Sequence, residues 1–249
     1  PDMTDFLKRT FEGYFKRIII AGDGVEALQL VRSHVPDIIV SDVMMPRMNG
    51  YKLCKTIKED INISHIPVIL LTARDDRQSQ ISGYKNGADG YLSKPFEVEM
   101  LMELIRNRLK NREYTKKRYL NAGLIPTPEE STISLTDETF LIKLNSIIQE
   151  NIENSNLGIQ FICQEVGLGR SSLYNKLKAL TGMGANEYIS KLRIEKAITL
   201  ISGTDMPFSE IAEKTGFTTP SYFSTAFKQY TGETPSQYKE RKKKGLADK

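Results

Sequence analysis

The sequence predicts an α/β domain built on a parallel, doubly wound sheet, followed by an all-α domain holding two helix-turn-helix units. Three observations predict it. Short apolar runs alternate with helical stretches over residues 1–112, the pattern of parallel strands joined by crossover helices. Three of those runs end in chemically capable residues, Asp42, Thr72 and Lys94. Residues 162–182 recur as residues 211–232, at an offset of 49 up to a glycine and 50 after it. A repeat of this kind is found by searching for a period, not from composition.

With 249 residues, the chain is long enough for two domains that each bury a core. Cys54 and Cys163 lie in different halves, so neither a disulfide framework nor a zinc spacing is expected. His34 and His65 are equally isolated. No apolar run has the length of a membrane span, and no signal-peptide pattern occurs. The expected location is cytoplasmic, either as a free protein or as the cytoplasmic end of a membrane-anchored sensor. The net charge of +4 is unevenly spread: residues 1–103 carry 13 Lys+Arg against 15 Asp+Glu, and the rest is basic. Total charge is thus a weak sign of nucleic-acid binding, and local placement decides.

In order, residues 3–14 form an amphipathic helix with Phe6, Leu7, Phe11 and Phe15 on one face. Residues 17–20 are a strand, and residues 25–33 a helix with Ala27, Leu28 and Val31 inward. The β-branched run before Asp42 reads as a buried parallel strand, which sets Asp42 at the edge where open α/β sheets hold ligands. A helix over 49–59, a strand over 67–71 ending in Thr72–Ala73, a helix over 76–86, a short strand over 90–92 and a long helix over 97–112 follow. Asp42, Thr72 and Lys94 converge on one crevice, where a carboxylate nucleophile, a hydroxyl and an ammonium suit an acyl phosphate.

The segments IIVSDVMMPRMNG, VILLTA and GADGYLSKPF resemble the response-regulator receiver family in order and spacing. The resemblance implies a flavodoxin-like fold, Asp42 as phosphoacceptor, Thr72 and Tyr91 as switch residues, and Lys94 as the phosphate-binding amine. It implies a cis bond before Pro95, and Mg2+ held by Asp42 and the Met44 backbone carbonyl. The departure is at the front. The family's first strand ends in a pair of acids that hold the metal, and Pro1–Asp2–Met3 looks like the residues just after that pair. The sequence therefore reads as a receiver lacking its first strand, with Asp2 and Asp5 poor substitutes and Mg2+ binding weakened.

Residues 113–134 form a basic helical linker broken by Pro126 and Pro128, and residues 135–243 the second domain. Leu101, Leu104, Ile105 and Leu109 suit packing on the first domain or a dimer seam. In the second domain, a helix over 137–154 turns Phe140, Leu141, Leu144, Ile147 and Ile148 inward. Each repeat is a short helix, a turn at Gly167 or Gly216, and a second helix, which is the helix-turn-helix pattern. The second helices turn Leu173, Leu177, Leu180 and Phe223, Phe227, Tyr230 inward. That leaves Arg170, Ser171, Tyr174, Asn175 and Lys178 on one unit, and Thr219, Ser221, Ser224, Thr225 and Lys228 on the other, to meet DNA. No acid occurs from 166 to 186 or from 214 to 232, which suits a polyanion. A helix over 184–202, roughly 27 Å long, could set the two units in successive major grooves about 34 Å apart. Arg193 on its polar face is expected to pair with an acid.

The segment YFSTAFKQYTGETPSQY is similar to the signature of the AraC/XylS family, with Thr225 where many members carry Arg. The two resemblances imply the output end of a two-component system, not an enzyme: a transcription factor controlled by aspartyl phosphorylation. A histidine kinase acts in trans or upstream in the same chain, and a homodimer engages two adjacent major grooves of double-stranded DNA. The alternative is a receiver serving as phosphate sink or docking module, with the helical domain bound to a protein.

Overall fold

A computed structural model describes residues 3–73, 87–121 and 134–247, without the side chains of 118–121 and 245–247. The chain divides into two compact units, one of residues 1–113 with 132–137, the other of 114–131 with 138–249. The predicted helix over 76–86 and most of the 113–134 linker lie outside the described residues.

The first unit contains α1 (Met3–Phe11), α2 (Gly24–His34), β1 (Ile39–Asp42), α3 (Gly50–Glu59), β2 (Val68–Ala73), β3 (Gly90–Lys94) and most of α4 (Val98–Asn121). The strands pair in parallel in the order β1-β2-β3. β2 is apolar and buried along nearly its whole length because both of its faces are covered. Its side chains alternate between two cores. Val68 and Leu70 join Leu53, Cys54 and Ile57 of α3, while Ile69 and Leu71 join Leu101 and Ile105 of α4. Leu104 and Leu109 pack against this second core too, so the apolar stripe of α4 serves the first unit.

Caps start α2 and α3: Asp23 accepts from the amides of Val25 and Glu26, and Asn49 from that of Lys52. At the start of α3 the chain turns back on β1 so closely that a Cβ on Gly50 would stand 2.3 Å from the Asp42 carbonyl oxygen.

Two expectations fail here. Residues 17–20 form no strand. A strand exists only through a hydrogen-bonded neighbour, and among the described residues β1 pairs with β2 alone. Ile18 still packs into the core, but Ile19 and Ile20 are exposed. The first helix also stops at Phe11, and Phe6 is 52 % exposed while Phe11 is buried.

The second unit continues through most of α5 (Leu135–Glu150) and through α6 (Ile159–Val166), α7 (Arg170–Thr181), α8 (Ala185–Gly203), α9 (Phe208–Lys214), α10 (Pro220–Thr231) and α11 (Pro235–Ala247). α6–α7 and α9–α10 are the two helix-turn-helix units. Both turns use a glycine at positive φ, Gly167 at 73° and Gly216 at 69°, where a side chain would be strained. Phe140, Leu141, Leu144, Ile147 and Ile148 of α5 are buried as expected, with Leu173, Leu177 and Leu180 of α7. The core of the second helix-turn-helix unit is aromatic: Phe217, Phe223, Phe227 and Tyr238 contact in series with ring centroids 5.4–5.7 Å apart.

Candidate functional sites

Asp42 closes β1 opposite Leu71 of β2, so the next residue of β2, Thr72, lies at the same end of the sheet. On the far side of β2, Lys94 is in register with Ala73. The sheet thus brings Asp42 and Lys94 together: the Lys94 ammonium lies 2.5 Å from Asp42 Oδ2. The Met44 amide donates to Asp42 Oδ1 at 3.1 Å. Both groups of the pair keep solvent access, at 34 % for the Asp42 side chain and 26 % for Lys94. Such exposure makes the pair weak as a stabiliser. What it provides is a reachable carboxylate with a cation beside it, able to balance charge added there. Thr72 is buried. Tyr91 sits further down β3, in register with Leu70, and packs against the core shared with α3. The Lys94–Pro95 bond is cis, as the resemblance implied.

A neighbouring contact was not foreseen. Arg47, at φ 59° in the loop after β1, sends its guanidinium to the Asp23 carboxylate at the start of α2. Burial works to raise the Asp23 carboxyl, yet hydrogen bonds from Glu26, Arg47 and Val25 hold it below the ordinary value. Asp23 before an apolar helical stretch was readable as a cap; its partner 24 residues on was not.

Receiver domains are generally Mg2+-dependent, so the donor set must be tested. Mg2+ needs near-octahedral oxygen ligation. Here Asp42 offers one carboxylate, already bonded to Lys94 and the Met44 amide, and Met44 adds one carbonyl. No cluster of three or more Asp, Glu, His or Cys able to hold a metal ion occurs among the described residues. Asp5 stands exposed on α1. The described residues do not make a magnesium site by themselves.

The helical unit presents two polar helix faces. On α7, Arg170, Ser171, Tyr174, Asn175 and Lys178 are all exposed. On α10, Ser221, Thr225 and Lys228 are exposed and Ser224 is half-buried. Thr219, exposed at the N-cap, accepts from the Tyr222 amide. Some of these groups have local partners: Arg170 donates to Gln160, and Thr225 to the Ser221 carbonyl. Lys178 lies 3.9 Å from Glu187, an acid just outside the acid-free window.

Two details, at Tyr230 and Arg193, differ from expectation, and two, at Lys176 and Tyr222, had no expectation set for them. Tyr230 is 40 % exposed instead of inward, because it lies beyond the aromatic core, with its hydroxyl near Glu195 of α8. Lys176 is fully buried with its ammonium 5.1 Å from the Phe140 ring centroid, so one cation of α7 never faces outward. Tyr222 is an exposed aromatic on the first turn of α10, 56 % accessible, that the sequence reading passed over. Arg193 pairs with no acid among the described residues; it donates to the Asn154 carbonyl at 2.6 Å.

No described helix is long and apolar enough to cross a membrane. The family model of the response regulator receiver domain matches residues 1–106, and that of a helix-turn-helix domain matches residues 162–241. The chain is 42 % identical over 224 residues to histidine kinase P4 of Formosa agariphila, covering 90 % of this chain but only 16 % of that protein's length. It is 30 % identical to the probable transcriptional regulator ycf29 of Pyropia yezoensis, over 68 % of this chain and 82 % of that one. It is 28 % identical to the transcriptional regulatory protein HptR of Staphylococcus aureus, over 90 % and 88 % of the two chains. The chain belongs to the response-regulator family of two-component systems, with a flavodoxin-like receiver joined to a helix-turn-helix domain.

Proposed function

We propose that the chain is a sequence-specific DNA-binding transcription factor whose output is set by phosphorylation of Asp42. The observation that carries this reading is the pairing, in one chain, of a reachable Asp42–Lys94 site with two exposed helix faces free of acids. A histidine kinase supplies the phosphoryl group, which forms an acyl phosphate on an Asp42 oxygen. Lys94 then shifts its hydrogen bond to the new phosphoryl oxygens. Thr72, one position beyond the strand partner of Asp42, donates its hydroxyl to the same group, and Tyr91 follows it inward. The rearranged face favours a homodimer. The kinase acts in trans or upstream in the same chain; the likeness to histidine kinase P4, of which the chain spans 16 %, supports the second arrangement. The protein, or the end of it seen here, works in the cytoplasm.

On DNA, α7 and α10 enter successive major grooves on one face. Arg170, Asn175, Lys178, Thr219 and Lys228 reach phosphates and base edges, with Ser171, Tyr174, Ser221, Ser224 and Thr225 between them. Thr225 is short and lacks a guanidinium, so no bidentate guanine contact is made there. Mg2+ belongs to the reaction only with carboxylates from outside the described residues.

Gel shifts on a duplex selected by the chain from a random pool test the DNA reading. Binding that weakens steeply with salt supports it. No binding at low salt contradicts it and favours a protein partner for the helical domain. Asp42→Asn in the intact parent protein tests the switch: promoter output should stop responding to signal, and an unchanged response sinks the claim.

A further inference from the structure

The two helix-turn-helix units are separate in sequence, and two-groove binding requires their recognition helices to hold a fixed spacing. We propose that Arg193 is the positioning residue that sets this spacing, so that the protein discriminates DNA sites by the distance between their two contact boxes. The proposal rests on the two-groove reading above.

Arg193 projects from α8, the helix that joins the units. Its guanidinium reaches in two directions. One terminal nitrogen donates at 2.6 Å to the carbonyl of Asn154, in the turn between α5 and α6 that leads into the first unit. The guanidinium carbon lies 6.0 Å from the ring centroid of Phe217, the residue after the turn glycine of the second unit. Phe217 in turn meets Tyr222 edge-on at 5.7 Å, on the first turn of α10. A line of contacts thus runs from the base of the first unit, through α8, to the exposed aromatic of the second recognition helix.

Gly216 shows how tight this junction is. A Cβ there would stand 2.2 Å from the Ile152 carbonyl oxygen and 2.8 Å from an Arg193 terminal nitrogen. The turn after α5, the helix α8 and the second turn therefore meet where no side chain fits. The corresponding Gly167 has nothing within 4 Å of such a Cβ. Both turns need positive φ, but only the second is also clamped.

Charge argues the same way. Arg193 is half-buried, its Nε has no hydrogen-bond partner, and among the described residues its guanidinium meets the Asn154 carbonyl and not a carboxylate. A desolvated cation without a counter-ion is a costly way to gain stability. A rigid planar fork bridging a carbonyl and a ring is, however, well suited to fixing geometry.

The test begins with the duplex selected by the wild-type chain and footprinted to locate its two boxes. Affinities are measured for that duplex, for versions with one or two base pairs inserted between the boxes, and for a duplex with a single box. Wild type, Arg193→Met and Arg193→Lys are compared. The wild type should lose about tenfold per inserted base pair, since each insertion also rotates one box about the DNA axis. Arg193→Met should bind the single box within about twofold of wild type, bind the native two-box site about tenfold more weakly, and lose little on insertion. Arg193→Lys keeps a donor for Asn154 but not the planar fork, so its spacing profile should fall between the two. If Arg193→Met does not fold, the lysine variant decides: a broadened profile supports the proposal. A variant profile parallel to wild type, or equal losses on one-box and two-box duplexes, overturns it. Failure of the wild type to bind any duplex removes the underlying DNA reading instead.

Discussion

The two helix-turn-helix units share a pattern but are built differently. The first has an aliphatic core of Leu173, Leu177 and Leu180, an open glycine turn, and Gly169 at the N-cap of α7 with no side-chain cap bond. The second has a chain of aromatic rings, a clamped turn, and Thr219 capping α10 ahead of Pro220. α8 grips the second unit again through Glu195 and Tyr230. The difference teaches that a sequence repeat conserves the presented helix while its fixing to the rest of the domain is solved twice. On this account the second unit is held rigidly by aromatic packing and Arg193, and the first rests on ordinary aliphatic burial.

The largest break in the comparison should come from the aromatic core. Phe227→Ala removes a fully buried ring that touches Phe223 and Tyr238, and should cost about 4 kcal/mol in urea unfolding. A cost under about 1 kcal/mol would show the aromatic series is not what holds the second unit. The two turn glycines give the sharpest contrast. Gly216→Ala meets both positive φ and the Ile152 carbonyl, and should cost about 3 kcal/mol, against about 1 kcal/mol for Gly167→Ala. Equal costs would mean the second turn is no tighter than the first.

On DNA, Lys228→Ala should lower the dependence of log affinity on log salt by about one, the loss of one phosphate contact. Lys178→Ala should lower it less, because Glu187 at 3.9 Å already offsets that ammonium. The reverse order in salt titrations would contradict the placement of the two lysines. The acid on α8 gives a pH signature. Burial raises the Glu195 carboxyl, with Lys191 and Tyr230 only partly opposing it. A raised acid contributes stability that is complete below its ordinary value, 4.5, and is lost as pH rises through its folded value. Glu195→Gln should remove that slope, so its stability relative to wild type should climb with pH across this window. Parallel urea midpoints for the two proteins would refute it. The smallest effect should be Gly169→Ser, which supplies the missing cap on α7 and should gain a few tenths of a kcal/mol, roughly.

Much of this was legible in the sequence where local chemistry decides structure. The β-branched run into Asp42 and the Lys94–Pro95 pair located the strand ends, because parallel strands leave their carboxyl ends on one edge. The two glycines marked both turns, since each needs a backbone conformation other residues resist. What failed depends on distant partners. Residues 17–20 have the composition of a strand, but a strand needs a neighbour, and the described sheet offers them none. The helical period put Tyr230 inward, yet the core ends at Phe227 and Tyr238, and its hydroxyl lies near the half-buried Glu195, 35 residues earlier. Lys176 shares the face of Leu173 and Leu180 at three- and four-residue spacing, so its burial was readable from the helical period. Arg193 was assigned an acid by habit; its partner is a carbonyl 39 residues away that no pattern announces.

The central claim is that both recognition helices meet DNA together. Hydroxyl-radical footprinting of the wild-type chain on its selected duplex tests this most directly. Two protected stretches about one helical turn apart, 10–10.5 base pairs, on one face of the duplex are the predicted result. A single protected stretch, or two on opposite faces, would contradict the account.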